Sequence, residues 1–181
     1  MEGEGMDDWF VAQVEQHGAD IHAYLSRRTV DGVADDLLGD VWVAAYAGRS
    51  RYDPELGSAR AWLFGVARHV LHGYYRKQRL RVRLFAIDRP ADETAAIDAR
   101  LDAAALAPRL RQGLRDLPAV ERELLLLVAW ESLTPTEAAQ VLGIPPGTAR
   151  SRLHRARTRM DERLSRSPQA QNEETRQEAD R

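Results

Sequence analysis

The chain has 181 residues, a formal net charge of −2, 44% hydrophobic residues and no cysteine. That length holds one ordinary domain or two small ones, and the missing thiols exclude a disulfide scaffold and any cysteine-based zinc, iron–sulfur or nucleophile chemistry. The longest uninterrupted apolar run, Leu124–Trp130, is far short of the roughly 20 residues that a membrane helix needs. Met1–Asp8 is acidic and small, where a secretory signal has a basic head and an apolar stretch. The chain is therefore expected in the cytoplasm.

Strand-like alternation is missing, and the residues read almost entirely as helix. A first helix is predicted near Asp7–Arg28, with Phe10, Val14, Ile21 and Leu25 inward and Gly18 weakening its middle. Asp31 and Gly32 make a turn into a second helix, Val33–Ala47, with Val33, Leu37, Val41, Trp42 and Ala45 inward. Gly48–Gly57 is a loop, marked by Asp53, Pro54 and Gly57. Ser58 caps a third helix near Ala59–Leu80, whose apolar stripe is Trp62, Leu63, Val66, Val70, Leu71 and Tyr74. Phe64 and Tyr75 fall off that stripe.

From Ala86 to Ala107 the character changes: nine of 22 residues are alanine and five are acidic, as in a linker. Leu110–Leu117 opens a second domain, and Pro118 begins a helix with Val120, Leu124, Leu127 and Val128 inward. The polar stretch after Ser165 is expected to be disordered. The fold expected is all-α, with two small helical domains (1–85 and 108–165) joined by a linker (86–107) and followed by a tail (166–181).

The near-neutral total hides segregation of charge. Arg60–Ile87 holds seven basic residues and no acid, and Gly147–Arg166 holds seven arginines against two acids. Asp7–Asp40 holds eight acids against Arg27 and Arg28. Two basic blocks on an acidic chain fit two separate anionic contacts, and on charge alone they fit two solvated helix faces equally well.

Leu133–Leu164 carries the strongest pattern. Thr134, Pro135, Thr136 and Glu137 form a capping box with proline at the first helical position. The helix they start ends at Leu142, before Gly143, where a helix stop needs positive φ. Pro145 and Pro146 prevent continuation, and Pro146 opens the next helix. That helix repeats Ala149, Leu153, Ala156, Met160 and Leu164 on one face, leaving Arg150, Ser151, His154 and Arg155 largely off it. A short helix, a glycine turn and a longer basic helix make a helix-turn-helix, with Ala139 small where the helices cross, and long donors on the second helix suit a major groove. The competing reading is an ordinary helical hairpin with a basic surface.

Leu110–Leu164 resembles the fourth conserved region of bacterial sigma factors, nearest to the extracytoplasmic-function type. The resemblance is carried by Leu117-Pro118, Glu121-Arg122-Glu123, Glu137-Ala138-Ala139 and the run Gly147–Arg157. It implies reading of the promoter's minus-thirty-five element by Pro145, Gly147, Thr148, Arg150, Ser151, His154 and Arg155, with Arg152 and Arg157 adding phosphate contacts. Ala34–Trp42 looks like the family's polymerase-binding helix, which implies docking on the clamp of core RNA polymerase through Asp36, Leu37 and Asp40. Ala59–Arg68 resembles the strand-opening helix, which implies minus-ten contacts by Tyr52, His69 and His72, with Arg68 and Arg76 beside them. An inhibitory anti-sigma protein is a common partner in this group. Gly39 replaces a frequent glutamine, His69 a frequent asparagine, and Ala149 a larger β-branched residue, which predicts looser packing of the helix-turn-helix.

The resemblance implies no catalytic residue, cofactor or metal. His69 and His72 sit three apart, a spacing that a metal can use, but no third ligand accompanies them. His17 and His22 read as surface residues. Asp36 and Asp40 lie four apart on one helix face and suit acid–base work as a pair, yet no nucleophile or phosphate loop goes with them. A stand-alone helix-turn-helix regulator is the alternative, and a metal-dependent hydrolase a distant third. The Trp62–Arg83 block argues against the regulator, which has no need of it.

Overall fold

The computed structural model describes residues 2–85 and 107–165, and the expected tail and all but the last residue of the expected linker lie outside them. The described residues form seven α-helices: α1 (Glu2–Arg28), α2 (Val33–Gly48), α3 (Ala59–Phe85), α4 (Ala107–Asp116), α5 (Ala119–Ala129), α6 (Pro135–Leu142) and α7 (Pro146–Ser165). A 3₁₀ turn, Arg49–Arg51, leaves α2. No strand occurs among the described residues.

Helices α1, α2 and α3 pack against one another around Phe10, Ile21, Leu25, Leu37, Val41 and Ala45, as the spacing predicts. Gly18 does not interrupt α1; it lies against the ring edge of Trp42, with 3.8 Å between a built Cβ and the indole. Gly32, at φ 83°, makes the turn into α2 in a conformation that only glycine adopts without cost.

The inner face of α3 is rotated from the predicted stripe. Phe64 has no exposure and Tyr75 is 6% exposed, whereas Trp62, Val66, Val70 and Tyr74 are only half-buried. The sequence supports two overlapping stripes, one through 62, 66, 70 and 74 and one through 64, 67, 71 and 75, and α3 uses both. The second meets the centre of the bundle, where Phe64 packs edge-on to the buried Tyr24 at 5.5 Å. The first lies along its margin. Two further expectations are corrected: Val120 faces outward while Leu126 takes an inner place on α5, and His17 is buried rather than on the surface.

In the second domain α5, α6 and α4 all pack on α7. Leu114, Leu117, Leu126, Ala156 and Met160 form a small cluster at the junction of α4, α5 and α7. Gly113 permits this approach, because a Cβ there would lie 2.9 Å from the Met160 sulfur.

The two domains do not stand apart. Leu124, Leu127, Leu133, Ala138, Ala139, Val141 and Ala149 of the second domain belong to the same hydrophobic cluster as the core of the first. Helix α6 packs directly on α3. Around this seam, Arg28 Nη1 donates to Glu131 Oε1 at 2.7 Å, Arg27 pairs with the other oxygen of the same carboxylate, and Arg60 Nη2 donates to the Glu131 carbonyl at 2.6 Å. Arg68 Nε donates to Glu123 Oε1 at 2.7 Å, and Ser58 Oγ to Glu137 Oε1 at 2.9 Å.

The rotated face of α3 is testable. Phe64→Ala removes a fully buried ring and should cost about 3–5 kcal/mol, whereas Trp62→Ala, at the margin, should cost clearly less. Urea unfolding of both variants measures the difference; equal losses would restore the stripe through Trp62.

Candidate nucleic-acid interface

The helix-turn-helix is assembled by local chemistry. Thr134 is extended at the N-cap of α6; its hydroxyl accepts from the Glu137 amide at 3.2 Å, and the Glu137 carboxylate accepts from the Thr134 amide at 2.9 Å. This is the reciprocal capping box, with Pro135 at the first helical position. Gly143 closes α6 at φ 64°, and Pro146 starts α7 three residues later.

Helix α7 is divided lengthwise. Ala149, Leu153, Ala156 and Met160 are buried, and Leu164 is half-buried. Ala149 has no exposure despite its small size. Of the residues assigned to the minus-thirty-five element, Pro145, Gly147, Arg150, Ser151, His154, Arg155 and Arg157 are exposed, and Thr148 and Arg152 half-buried. Arg155 also turns inward: its Nε lies 3.4 Å from Glu121 Oε1, and Arg159 Nη1 lies 2.5 Å from Glu121 Oε2. Glu121 is therefore buried with its charge matched, and it holds α5 to α7.

In the front domain, Tyr52, Gly57, Ser58, Trp62 and His69 line a groove of about 560 Å³. The Tyr52 ring stacks on Trp9 at 4.8 Å, and its hydroxyl donates to the Gly57 carbonyl at 3.2 Å. Tyr52 and His69 thus share one site. His72 and Arg76 are exposed further along α3, outside the groove lining, and Arg68 is held by Glu123. The groove has one lining residue from the second domain, Gln140, whose amide nitrogen donates to the Leu56 carbonyl.

On α2, Asp36 and Asp40 are exposed on one face. Leu37, assigned with them, points inward at 5% exposure and supports the helix from the core side. The exposed face also carries Val43, which is 72% exposed. Among the described residues no three His, Cys, Asp or Glu side chains come together as a metal site.

Sequence reasoning missed the residues that link the domains, Glu123, Glu131, Glu137 and Gln140, and the groove residues Trp62 and Ser58. Glu137 and Ser58 carried a signal only as helix caps, Trp62 only as an apolar-stripe residue and Glu123 only as part of the resemblance. The links between the domains come from partners 55 to 104 positions away.

Residues 13–81 match the family described as Sigma-70 region 2, and residues 108–160 match Sigma-70, region 4. A probable RNA polymerase sigma-C factor of Mycobacterium bovis is 35% identical over 150 residues, covering 82% of this chain and 77% of the relative. The ECF RNA polymerase sigma factor SigF of Caulobacter vibrioides is 32% identical over 159 residues, covering 83% and 82%. The chain belongs to the extracytoplasmic-function sigma factors of the sigma-70 family. Among solved structures, CnrH in complex with the cytosolic domain of CnrY matches with a TM-score of 0.58 at 28% identity, over 86% of each chain. RpoE of Bartonella quintana, in complex with the anti-sigma factor NepR, shares the fold with a TM-score of 0.52 at 23% identity, over 89% of this chain and 97% of that one.

This sigma factor is a transcription initiation factor that directs RNA polymerase to promoters. Among its described residues no helix is long and apolar enough to cross a membrane. Its titrating groups report the packing of the site. Partial desolvation by neighbouring side chains, then the Arg68 guanidinium, lowers His72 from its ordinary value. Burial also lowers His17, with Arg60 adding to it. For Glu137, burial alone raises the carboxyl, but the Thr134 amide, the Ser58 and Thr134 hydroxyls and Arg60 outweigh it and hold it low.

A carboxylate whose pKa is lower folded than unfolded stabilises the fold above its unfolded pKa, and this stabilisation is lost as pH falls through the folded value. Glu137→Gln should therefore destabilise the sigma factor at neutral pH and flatten the loss of stability on acidification. Thr134→Ala, which removes the other half of the box, should cost about 0.5–2 kcal/mol. Urea midpoints at neutral and acid pH check both; an unchanged acid dependence in Glu137→Gln would remove that carboxylate from the acid response.

Proposed function

We propose that the two ends of the chain divide promoter recognition between them. The front domain, residues 1–85, docks on the polymerase clamp through Asp36 and Asp40 and takes up the melted minus-ten strand. Tyr52 and His69 offer rings for stacking in the groove, and Arg68, His72 and Arg76 follow the backbone. The second domain, residues 108–165, lays α7 in the major groove of the minus-thirty-five element. Pro145, Gly147, Thr148, Arg150, Ser151, His154 and Arg155 meet the DNA there, and Arg152 and Arg157 add phosphate contacts. Residues 86–107 link the domains, and 166–181 form a tail.

The observation that carries this reading is the division of α7. Its small apolar residues are buried in a row, and its long donors are exposed on the other side. That arrangement presents side chains to base edges from a rigid helix, the geometry that direct readout needs. The protein performs no covalent chemistry in this role and acts in the cytoplasm. An inhibitory protein partner belongs to the proposal as well, since the similar CnrH is held in complex with the cytosolic domain of CnrY.

Transcription from a promoter library at two salt concentrations tests the assignment of α7. Arg150→Ala should lower promoter use and relax preference at one or two upstream positions, a loss of about 1–3 kcal/mol for a bidentate arginine–guanine contact. Uniform weakening on all sequences with a flatter salt dependence makes Arg150 a phosphate contact instead. Wild-type activity and preference throughout would refute the docking of α7. For α2, the double variant Asp36→Arg, Asp40→Arg should lose core polymerase in pull-down while its circular dichroism is unchanged. Retained polymerase binding removes α2 from the docking surface.

A further inference from the structure

Tyr52 stands on the loop between α2 and α3, yet its ring is held from the start of α1. We infer that the first turns of α1 are a splint for the minus-ten groove, with Trp9 as a positioning residue that sets the Tyr52 ring for a stacked base. The inference rests on the assignment of Tyr52 to the minus-ten strand and adds a part that this assignment does not include.

The splint grips both backbone and ring. Arg49 Nε donates to Asp7 Oδ1 at 3.2 Å, and the same guanidinium lies 3.6 Å from the centre of the Tyr46 ring. Phe10, a core residue of α1, packs edge-on against Tyr46 at 5.4 Å. Arg49 opens the 3₁₀ turn, and its carbonyl accepts from the Tyr52 amide at 3.2 Å. Asp7 and Phe10 thereby hold the turn that leads into Tyr52. Trp9 holds the side chain itself, with the two rings stacked 4.8 Å apart and 17° between their planes. Trp62 closes the triangle, 6.2 Å from Trp9 and 5.5 Å from Tyr52. The Tyr52 hydroxyl donates to the Gly57 carbonyl, so the ring is held by its face and by its tip.

Placement separates Trp9 from the residues that it serves. Tyr52 and Trp62 line the groove, and Trp9 does not. Trp9 therefore acts on an incoming strand through Tyr52. Trp62, left at the margin of the core by the rotation of α3, completes the aromatic wall. Asp7, Trp9 and Phe10 also precede residues 13–81, the segment shared with Sigma-70 region 2, so family membership assigns them no role.

A base that stacks on a freely turning loop side chain has to order it, and the lost rotamer freedom weakens binding. A ring that is held beforehand avoids this loss. Stacking tolerates every base. The splint should therefore raise affinity for the strand on all sequences and leave base preference unchanged.

Holoenzyme assembled from core polymerase and the full chain is titrated against a fluorescent single-stranded oligonucleotide, the minus-ten strand of a promoter selected from the library. Trp9→Leu, which keeps apolar volume and offers no stacking face, should weaken binding by about fivefold or more, the lower end of what one stacked base contributes. Trp9→Phe should restore most of the loss, and core polymerase should still be retained in pull-down by both variants. A double-mutant cycle decides the mechanism. In a Tyr52→Ala background Trp9→Leu should have no further effect, because the ring that it positions is gone. A loss that adds in full to that of Tyr52→Ala overturns the proposal, since Trp9 then acts on the fold or on the strand by itself. Wild-type affinity in Trp9→Leu beside a defective Tyr52→Ala overturns it as well. If Tyr52→Ala binds the strand as the wild type does, the minus-ten assignment of Tyr52 fails and the splint falls with it. Should Trp9→Leu fail to fold, Asp7→Asn, which loosens the Arg49 turn at little cost to the fold, is held to the same cycle.

Discussion

A guanidinium without access to water has to be answered by an anion, and Arg28 is answered by Glu131, 103 residues away in sequence. Removing charge from water is expensive, and a buried pair recovers that cost only with good geometry and further hydrogen bonds. Both are present. Glu131 takes Arg28 on one oxygen and Arg27 on the other, and Arg28 also donates to the Tyr24 carbonyl at 3.2 Å. The Arg28 guanidinium lies 4.0 Å from the Tyr24 ring centre, and the Tyr75 hydroxyl donates to the Arg28 carbonyl. Breaking such a pair by removing one partner costs about 3–5 kcal/mol when the remaining charge stays buried.

The rest of the seam follows from this anchor. With Glu131 seated at the end of α1, α6 lies along α3, and Ala138, Ala139 and Val141 complete an apolar core that the front domain leaves open on that side. Apolar contact is non-directional and does not by itself choose a register. The register comes from the charges at the margin, where Arg60 finds the Glu131 carbonyl, Arg68 finds Glu123 and Ser58 finds Glu137. Glu137 and Ser58 each serve twice. Glu137 caps α6 while accepting from Ser58, and the Ser58 oxygen also accepts from the Ala61 amide at the start of α3. Two helix starts on different domains share one polar contact.

Charge on α7 is sorted by the same logic. Arg155 and Arg159 neutralise the buried Glu121, and Arg163 pairs with Asp116. These contacts fix the recognition helix to its own domain. The exposed Arg150 and Arg157 have no such acid among the described ion pairs and face outward with Ser151 and His154. A count of arginines cannot separate the two groups, which is why the segregated charge read equally as a contact surface or as a solvated face.

What the sequence determined by itself is local. The capping box at Thr134, the stop at Gly143, the restart at Pro146 and the row from Ala149 to Met160 are each set by residues within a few positions of one another, and each appears in the structure where the spacing puts it. The helical content and the family followed from such patterns. Where several neighbours competed for one helix, the pattern was insufficient: α3 carries apolar residues over most of its circumference, and only packing against α1, α2 and α6 decided that Phe64 and Tyr75 go inward while Trp62 stays at the margin. Leu37 was legible as core and was nevertheless assigned to a contact surface by resemblance. The seam between the domains was not legible at all. Glu131, Glu123 and Gln140 look like ordinary polar residues until the chain folds back over a hundred positions, because the physics that gives them their roles is desolvation, and desolvation exists only once the two surfaces meet.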